Sequence, residues 1–326
     1  MKNISVIIPC YNSEKSIQEV VQGIIHETGG IFETQVILVN DGSQDCVWER
    51  IQTICEIYPN VIGLSLSRNF GQQSARMAAI PYLTGEYVVF MDDDGQHDAA
   101  YIKCLVDKLE DGYDIAYAYF KKKKEARFRI WGSNFARKTV NFIMDRPKNV
   151  HGSSFFAARR YVVDELQNYH SPAPVLLGYF MKITKNITEV EAEHHERMYG
   201  KSGYSFKSLV HLWMDMFTSF SVIPLRIASF VGVVFSGLGM GIGAVYVIRK
   251  LLYPLVPSGY TSLISVILFS SGMIMLMLGM LGEYIGRIFI ALNDVPQYVV
   301  KEKLNTEKLN TENMKTFNIK DGNKNV

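Results

Sequence analysis

Two long runs without a charged side chain, close to the C-terminus, constrain this chain most. Ile227–Ile248 and Leu251–Gly282 contain 22 and 32 residues. A helix of about 20 apolar residues crosses the roughly 30 Å hydrocarbon core of a bilayer. Glycine at five positions of the first run suits close helix packing in lipid. The pattern predicts two transmembrane helices, at about 227–248 and 261–282, within a membrane segment 225–290; two buried core helices are the alternative.

The charges that flank these runs orient the hairpin only weakly. Arg226 and Arg287 lie outside it, whereas Arg249 and Lys250 lie in the connecting turn. The apolar residues at the N-terminus end at Pro9 and are too few for a signal peptide. We therefore expect a multi-pass protein of the cytoplasmic membrane, with both hairpin ends and the preceding domain in the cytosol. Four cysteines without a CxxC pair fit free thiols in a reducing compartment.

Residues 1–205 are expected to form one cytosolic domain, whose first ~120 residues alternate short apolar runs with helical patterns. Ser13 is the expected N-cap of the first helix. The alternation favours an α/β domain with a mostly parallel sheet that helices cover on both faces. The predicted strands are 4–8, 35–39, 61–66 and 87–91, and the predicted helices are 13–25, 47–57 and 73–83.

Two further segments flank the predicted hairpin. Residues 206–224 carry Phe206, Leu209 and Trp213 at helical spacing, which predicts an amphipathic helix in the membrane interface. A core-packing helix is the alternative for that segment. Residues 291–326 form a predicted cytosolic tail, which repeats Lys-Leu-Asn-Thr-Glu and is expected to be disordered after about Lys301.

Three adjacent aspartates, Asp92, Asp93 and Asp94, directly follow the fourth predicted strand. Ligands of open α/β sheets bind at the carboxyl ends of strands. Neighbouring carboxylates repel one another, and a hard divalent cation with oxygen ligands removes that conflict. Alternation along an extended segment points Asp92 and Asp94 to the same side. The cluster predicts a metal–phosphate site, with a solvated acidic turn as the alternative.

Several other classes of site are not indicated. The sequence contains no Gly-x-x-x-x-Gly-Lys-Ser/Thr loop, no Gly-x-Gly-x-x-Gly after the first strand and no Gly-x-Ser-x-Gly elbow. The formal charge of +2 argues against a nucleic-acid partner bound through bulk charge. The sequence does not fix the oligomeric state, and a homo-oligomer is compatible with it.

Four ordered motifs carry a family resemblance. They are Pro9-Cys10-Tyr11-Asn12, Asn40-Asp41-Gly42-Ser43, Ser67-Arg68-Asn69-Phe70-Gly71 and Asp92-Asp93-Asp94-Gly95-Gln96. With the hairpin and the segment Leu281–Arg287, they resemble the polyisoprenyl-phosphate branch of the inverting family 2 glycosyltransferases, which have the GT-A fold.

The resemblance implies a role for each candidate residue. Pro9, Tyr11 and Asp41 would hold the nucleoside, and Arg68 and Asp93 would complete the nucleotide-sugar site. Asp92 and Asp94 would be the catalytic, metal-binding Asp-x-Asp for Mg²⁺ or Mn²⁺, with Gln96 as a further ligand. The residues expected to meet phosphates of the donor or the acceptor are Arg127, Arg129, Arg197 and Ser202, with Lys121-Lys122-Lys123-Lys124 beside them.

Three departures from the family pattern bear on substrate and mechanism. Ser13 replaces an acid after Tyr-Asn, the lysine of the Gly-x-Ser-Lys stretch has moved to Lys201, and an Asp is missing from the segment 151–156. An acceptor hydroxyl needs a general base, whereas a phosphate monoester is mostly a dianion at pH 7. We therefore expect transfer from a nucleotide-sugar to a polyprenyl phosphate such as undecaprenyl phosphate. Uridine is preferred to guanosine as the nucleoside of the donor. The alternatives are transfer to a sugar hydroxyl of a lipid-linked saccharide and a non-catalytic membrane scaffold.

Overall fold

The structure is a computed structural model that describes residues 1–120, 150–169, 174–193, 223–252, 260–292 and 296–306. The chain divides into two compact units. The first contains the described residues before 194 and after 295, and the second contains the two long helices.

In the described part of the first unit, eight strands form one mixed sheet. The strands are β1 (Lys2–Cys10), β2 (Phe32–Asn40), β3 (Val61–Leu66), β4 (Tyr87–Phe90), β5 (Ile115–Phe120), β6 (Phe156–Arg159), β7 (Ile187–Ala192) and β8 (Val300–Leu304), in the order β7-β5-β6-β4-β1-β2-β3-β8. β6 and β8 run antiparallel to their neighbours, and the other pairings are parallel. The predicted α/β class is confirmed.

Helices follow most of these strands. They are α1 (Ile17–Thr28), α2 (Val47–Ile57), α3 (Gln72–Ala79), α4 (Tyr101–Glu110), α5 (Arg160–Asp164) and α6 (Leu176–Ile183), with 3-10 turns at Ile80–Tyr82 and Glu165–Asn168. Ile7 and Ile8 of β1 are both fully buried. Because successive side chains of a strand point to opposite faces, the centre of the sheet is covered on both sides.

The start of α1 differs from the prediction. The helix begins at Ile17, and Ser16 is its N-cap residue, so the assignment of Ser13 as N-cap is wrong. The carbonyl of Ser13 instead accepts the N–H groups of Ser16 and Ile17, each at 3.1 Å. Ser13 therefore closes a turn that precedes the helix.

The chain after the two long helices returns to the sheet of the first unit. β8 pairs antiparallel with β3, and the side chain of Asn305 donates to the carbonyls of Cys55 and Val61 at 2.8 and 2.9 Å. Glu302 accepts the indole N–H of Trp48 at 3.1 Å. The prediction of disorder after about Lys301 is therefore wrong for the residues of β8.

The second unit contains α7 (Ile223–Leu252) and α8 (Tyr260–Leu292). Both helices are long and apolar enough to cross a membrane; the windows Ala228–Val245 and Phe269–Gly286 have mean hydropathies of 1.8 and 1.3. Most of the side chains that the structure describes in these two windows are exposed, whereas Ala228 is buried. The helices contact each other, for example through Phe235 and Phe269, whose ring centroids are 5.5 Å apart. Residues 206–222 of the predicted amphipathic segment 206–224 lie outside the described residues, and its last two residues belong to α7.

Candidate active site

The carboxyl ends of three neighbouring strands form the candidate site. β1 lies between β2 and β4 and is parallel to both, with Cys10 opposite Asn40 and Ile7 opposite Phe90. The polar segments that follow these strands therefore meet at one edge of the sheet. The N–H of Asp41 donates to the carbonyl of Cys10 at 2.9 Å, which joins the first two segments.

Tyr11 and Asp93 connect the first and third of these segments. The backbone N–H of Tyr11 donates to Oδ2 of Asp93 at 3.0 Å, and the hydroxyl of Ser16 donates to the carbonyl of Asp93 at 2.6 Å. Burial raises the pKa of Asp93 to about 6, although the bond from Tyr11 opposes that shift. The Tyr11 side chain is exposed. Pro9 is buried in β1 opposite Val39.

Asp41 holds the loop that follows β3. Its two carboxylate oxygens accept the N–H groups of Phe70 and Gly71, at 2.7 and 2.9 Å. The residue is 2% exposed, and burial raises the pKa of its carboxyl group, while the two N–H donors lower it. Arg68 lies on the same loop, exposed, with its guanidinium carbon 4.2 Å from the centroid of the Phe70 ring.

Gly42 makes the close approach of this loop possible. Its φ is +63°, and a Cβ atom at this position would lie 2.4 Å from the carbonyl carbon of Arg68 and 2.5 Å from the nitrogen of Asn69. Only a residue without a side chain fits between the two backbones. The glycine thereby fixes the distance between Asp41 and the loop that it holds.

Asp92 lies in a cluster that sequence reasoning missed. Its Oδ1 accepts from the side chains of Gln72 at 2.7 Å and Arg76 at 2.9 Å, and its Oδ2 accepts the hydroxyl of Ser154 at 2.6 Å. The Arg76 guanidinium also donates to the carbonyl of Ser154 at 3.0 Å. The segment 151–156, from which the family's Asp is missing, thus contributes a serine that is bonded to Asp92.

The residues after Asp92 form a tight turn. Oδ1 of Asp94 accepts the N–H of Gln96 at 3.1 Å, and Gly95 between them has φ +73°. The N–H of Asp92 donates to Nδ1 of His97, which is buried and stacks on Phe155. The turn therefore presents Asp94 and Gln96 together. Within the described residues, no group of three or more His, Cys, Asp and Glu side chains is arranged to hold a metal ion.

A histidine–carboxylate pair lies beside this site in sequence. Nδ1 of His151 is 3.0 Å from Oε2 of Glu189, and the N–H groups of His151 and Gly152 donate to Oε1 of the same carboxylate. The Tyr119 ring packs against the imidazole at 4.5 Å between centroids. Glu189 therefore fixes the segment that leads to Ser154.

The structure brings together Tyr11, Asp41, Asp92, Asp93 and Asp94 at one edge of the sheet. The remaining predicted contacts to phosphates lie outside the described residues; these are Arg127, Arg129, Arg197, Ser202 and lysines 121–124. A sequence signal for the missed pair did exist. Gln72 and Arg76 are four residues apart on α3, and Arg76 is the charged residue in a run of buried small and apolar side chains.

The sheet order and the strand-end cluster define an α/β protein of the GT-A fold class. Comparisons with known proteins identify the group within that class. The model of glycosyl transferase family 2 matches residues 5–167, and that of the GtrB C-terminal hairpin matches residues 223–288. The chain belongs to glycosyl transferase family 2, and it is a glycosyltransferase. This assignment disfavours the alternative of a non-catalytic scaffold.

Two relatives match nearly the whole chain. One is the undecaprenyl-phosphate 4-deoxy-4-formamido-L-arabinose transferase of Proteus mirabilis, with 30% identity over 93% of this chain and 94% of that protein. The other is the uncharacterized glycosyltransferase YkcC of Bacillus subtilis, with 32% identity over 91% and 93%. The relatives place the chain in the polyprenyl-phosphate branch of the family.

Among solved structures, glucosyl-3-phosphoglycerate synthase from Mycobacterium tuberculosis is similar in fold. The complex of that enzyme with Mn²⁺, uridine diphosphate and glucosyl-3-phosphoglycerate has a TM-score of 0.51 and 18% identity. The match covers 67% of this chain and 78% of that one. At this identity the likeness establishes the GT-A fold and nothing further.

Proposed function

We propose that this enzyme transfers a sugar, with inversion, from a nucleotide-sugar to a polyprenyl phosphate at the cytoplasmic face of the membrane. A uridine diphosphate sugar is the proposed donor and undecaprenyl phosphate the proposed acceptor. The acceptor is motivated by the printed name of the Proteus mirabilis relative and by the match to the hairpin model.

The observation that carries the proposal is the absence of an Asp from the segment 151–156, where the family pattern has one. Ser154 lies in that segment, and its hydroxyl donates to Asp92. In the proposed step, an oxygen of the lipid phosphate forms a bond to the anomeric carbon while the bond from that carbon to the diphosphate breaks. The nucleoside diphosphate leaves with the electron pair. Because the second pKa of a phosphate monoester is about 6, this nucleophile is already ionised near neutral pH.

The donor would lie across the carboxyl ends of β1, β2 and β4. Asp41 and the loop that it holds would form the floor of the nucleoside pocket, and the exposed Tyr11 ring would cover the base. Arg68, exposed on the same loop, is positioned to contact the donor. Asp93, whose backbone is tied to Ser16, would face the ribose or the sugar.

The turn after β4 carries side chains of the type that binds a divalent cation. The Asp94 carboxylate and the Gln96 carboxamide offer hard oxygen ligands from one turn, two residues apart. Mg²⁺ is commonly bound through one or two carboxylates together with substrate phosphates, so a small number of protein ligands suffices. When bound, Mg²⁺ or Mn²⁺ would offset the negative charge that develops on the leaving diphosphate.

The order of the chain supports the proposed membrane topology. β7 precedes the two long helices, β8 follows them, and both strands belong to one sheet. Two spans that start and end on the same side agree with that order. A cytosolic location of the catalytic unit is supported by its four free cysteines, of which Cys46 and Cys104 are exposed. The contacts to the lipid phosphate are proposed for Arg127, Arg129, Arg197 and Ser202.

The proposal is tested with the purified full-length protein in detergent. The protein is incubated with Mg²⁺, a panel of nucleotide-sugars and undecaprenyl phosphate, and lipid products are read by mass spectrometry. Undecaprenol, which lacks the phosphate, is the matched acceptor, and Asp94→Asn is the matched variant. We expect one glycosylated lipid phosphate from the wild type and none from either control. Products formed only on sugar hydroxyls would contradict the proposal.

The His151–Glu189 pair favours a second candidate function. An imidazole oriented by a carboxylate can act as a general base, which a sugar-hydroxyl acceptor needs. Under that alternative, His151→Gln lowers turnover by about 10²–10⁴-fold. Under the phosphate-acceptor proposal, the same substitution changes turnover little, because no proton has to be removed from the nucleophile.

A further inference from the structure

The chain that follows the second apolar helix is bonded to the loop between β3 and α3, residues 67–71, which we call the donor loop. α8 ends at Leu292, and a few residues later the carbonyl of Val299 accepts the backbone N–H of Ser67 at 2.9 Å. Ser67 is the first residue of the donor loop, and the last two residues of that loop donate their N–H groups to Asp41. One hydrogen bond therefore joins the start of the donor loop to the C-terminal segment of the protein.

Side chains of β8 and of the residue after it fix this strand to the sheet. The side chain of Leu304 packs against the hydrophobic core, and a Cβ atom at Gly63 would lie 3.0 Å from its Cδ1. The glycine therefore leaves the space that Leu304 occupies. Asn305 donates to one carbonyl of α2 and one of β3, and Glu302 accepts the indole N–H of Trp48. Because these contacts use particular side chains, they specify where β8 docks.

The pairing of β8 with β3 is irregular directly beside the donor loop. Ser65 lies opposite Glu302, whereas Leu66 lies opposite Val300, so Lys301 is an extra residue on β8. A β-bulge of this kind bends its strand and increases the local twist, and bulges are common at sheet edges and next to active sites. The donor loop begins at the next residue after β3. The bulge thus lies where the contact with β8 passes from the sheet to that loop.

We propose that β8 is a positioning element of the donor site, which holds the start of the donor loop and thereby keeps the N–H groups of Phe70 and Gly71 on Asp41. Without β8, the loop would be held at its far end by Asp41 but would be free at its start, so it would open more often. The inference rests on the proposed function, since it concerns the nucleoside pocket of the same donor. It implies that the pocket is completed only by chain that follows both apolar helices in the sequence.

Hydrogen–deuterium exchange of the full-length protein in detergent, measured by mass spectrometry of its peptides, tests the inference. The double variant Leu304→Ser with Asn305→Gly removes the apolar contact and the two carbonyl bonds that dock β8, and glycine keeps the left-handed backbone at position 305. We expect the amides of the donor loop to exchange at least about tenfold faster than in the wild type, because a segment that opens more often exchanges faster. The affinity for uridine diphosphate, measured by titration calorimetry, should fall by about threefold or more, in proportion to the fraction of molecules with the loop in place.

Two control variants separate positioning of the loop from general support of the fold. Lys303→Ser changes an exposed side chain of the same strand, so loop exchange and affinity should equal those of the wild type. Leu105→Ala creates a cavity at a fully buried side chain of α4, so it should lower the melting temperature without weakening the binding of uridine diphosphate. If β8 only supported the fold, the double variant would behave like Leu105→Ala.

The exchange of β8 itself shows whether the strand has detached. If the double variant leaves it docked, Glu302→Pro with Lys303→Pro takes its place, since successive N–H groups of a strand point to opposite sides and one of the two must face β3. If the double variant does not fold, Leu304→Ser alone replaces it. Unchanged loop exchange and unchanged affinity in a variant with a detached β8 would overturn the inference and leave the proposed function intact. Loop exchange needs no ligand, so failure of the wild type to bind uridine diphosphate would contradict the proposed donor and is distinguishable from that result.

Discussion

Replacing Gly42 by alanine should damage the nucleoside pocket more than it damages an ordinary turn. Gly42 and Gly30 both have positive φ, +63° and +75°. An added Cβ at Gly30 meets nothing within 4 Å, whereas at Gly42 it would lie 2.4 Å from the backbone of Arg68. Gly30→Ala is therefore a matched control for the left-handed backbone without the steric overlap.

The expected magnitudes follow from these two environments. A left-handed conformation costs a non-glycine residue about 1–2 kcal/mol, which is the expected loss of unfolding free energy in Gly30→Ala. Forced overpacking adds about 1–3 kcal/mol in Gly42→Ala. Because 1 kcal/mol shifts the melting temperature of a domain of 150–250 residues by roughly 2–4 °C, the two variants should differ by several degrees.

The effect on ligand binding is the sharper measurement. Relief of the overlap at Gly42 moves the loop whose N–H groups of Phe70 and Gly71 hold Asp41. Titration calorimetry with uridine diphosphate should detect binding by Gly30→Ala and the wild type, and little by Gly42→Ala. Equal melting temperatures and equal affinities of the two variants would refute the reasoning.

Three further predictions concern the first unit. Asp41→Asn keeps the shape of the side chain but sets an amide donor against a backbone N–H. We expect the free energy of unfolding to fall by about 1–3 kcal/mol and uridine diphosphate to bind more weakly. A melting curve like that of the wild type would contradict this. Asn305, at φ +58°, should be more sensitive to alanine than to glycine, since both remove two hydrogen bonds but only alanine adds left-handed strain; calorimetric melting temperatures check the order. A thiol reagent should label the exposed Cys46 and Cys104 in the native protein and all four cysteines after denaturation, which mass spectrometry of the labelled peptides checks. Cys10 and Cys55 should be protected, because burial raises the pKa of the Cys10 thiol well above its usual value and that of the Cys55 thiol to about 12.

The central strands could be predicted because short, continuous stretches of sequence determine where they begin and end. Val61–Leu66 and the helix Val47–Ile57 have the predicted bounds, since each is a short apolar or amphipathic run between turn residues. β8 was not predictable in this way. Its alternating charged residues give no local strand signal, and it forms because the edge of β3 and the carbonyls held by Asn305 offer partners distant in sequence.

The candidate site was predictable in place but not in its internal bonds. Strand ends of a parallel sheet meet at one edge whatever their partners, so the acidic turn could be located from the sequence alone. The spacing of Gln72 and Arg76 indicates a shared face of α3, but the carboxylate that they contact depends on how α3 packs on the sheet. The missing Asp in the segment 151–156 was visible in the sequence, but the hydrogen bond that the Ser154 hydroxyl donates to Asp92 was not.

The three adjacent aspartates illustrate why repulsion alone does not identify a metal site. From the sequence, one cation appeared necessary to relieve all three carboxylates. In the structure, Asp92 pairs with the Arg76 guanidinium, and burial raises the pKa of Asp93 to about 6. A divalent cation therefore has less repulsion to relieve than the sequence alone suggests. Because the proposed cation would also be held by the donor's phosphates, metal and donor should bind cooperatively, each raising the affinity of the other by the same factor.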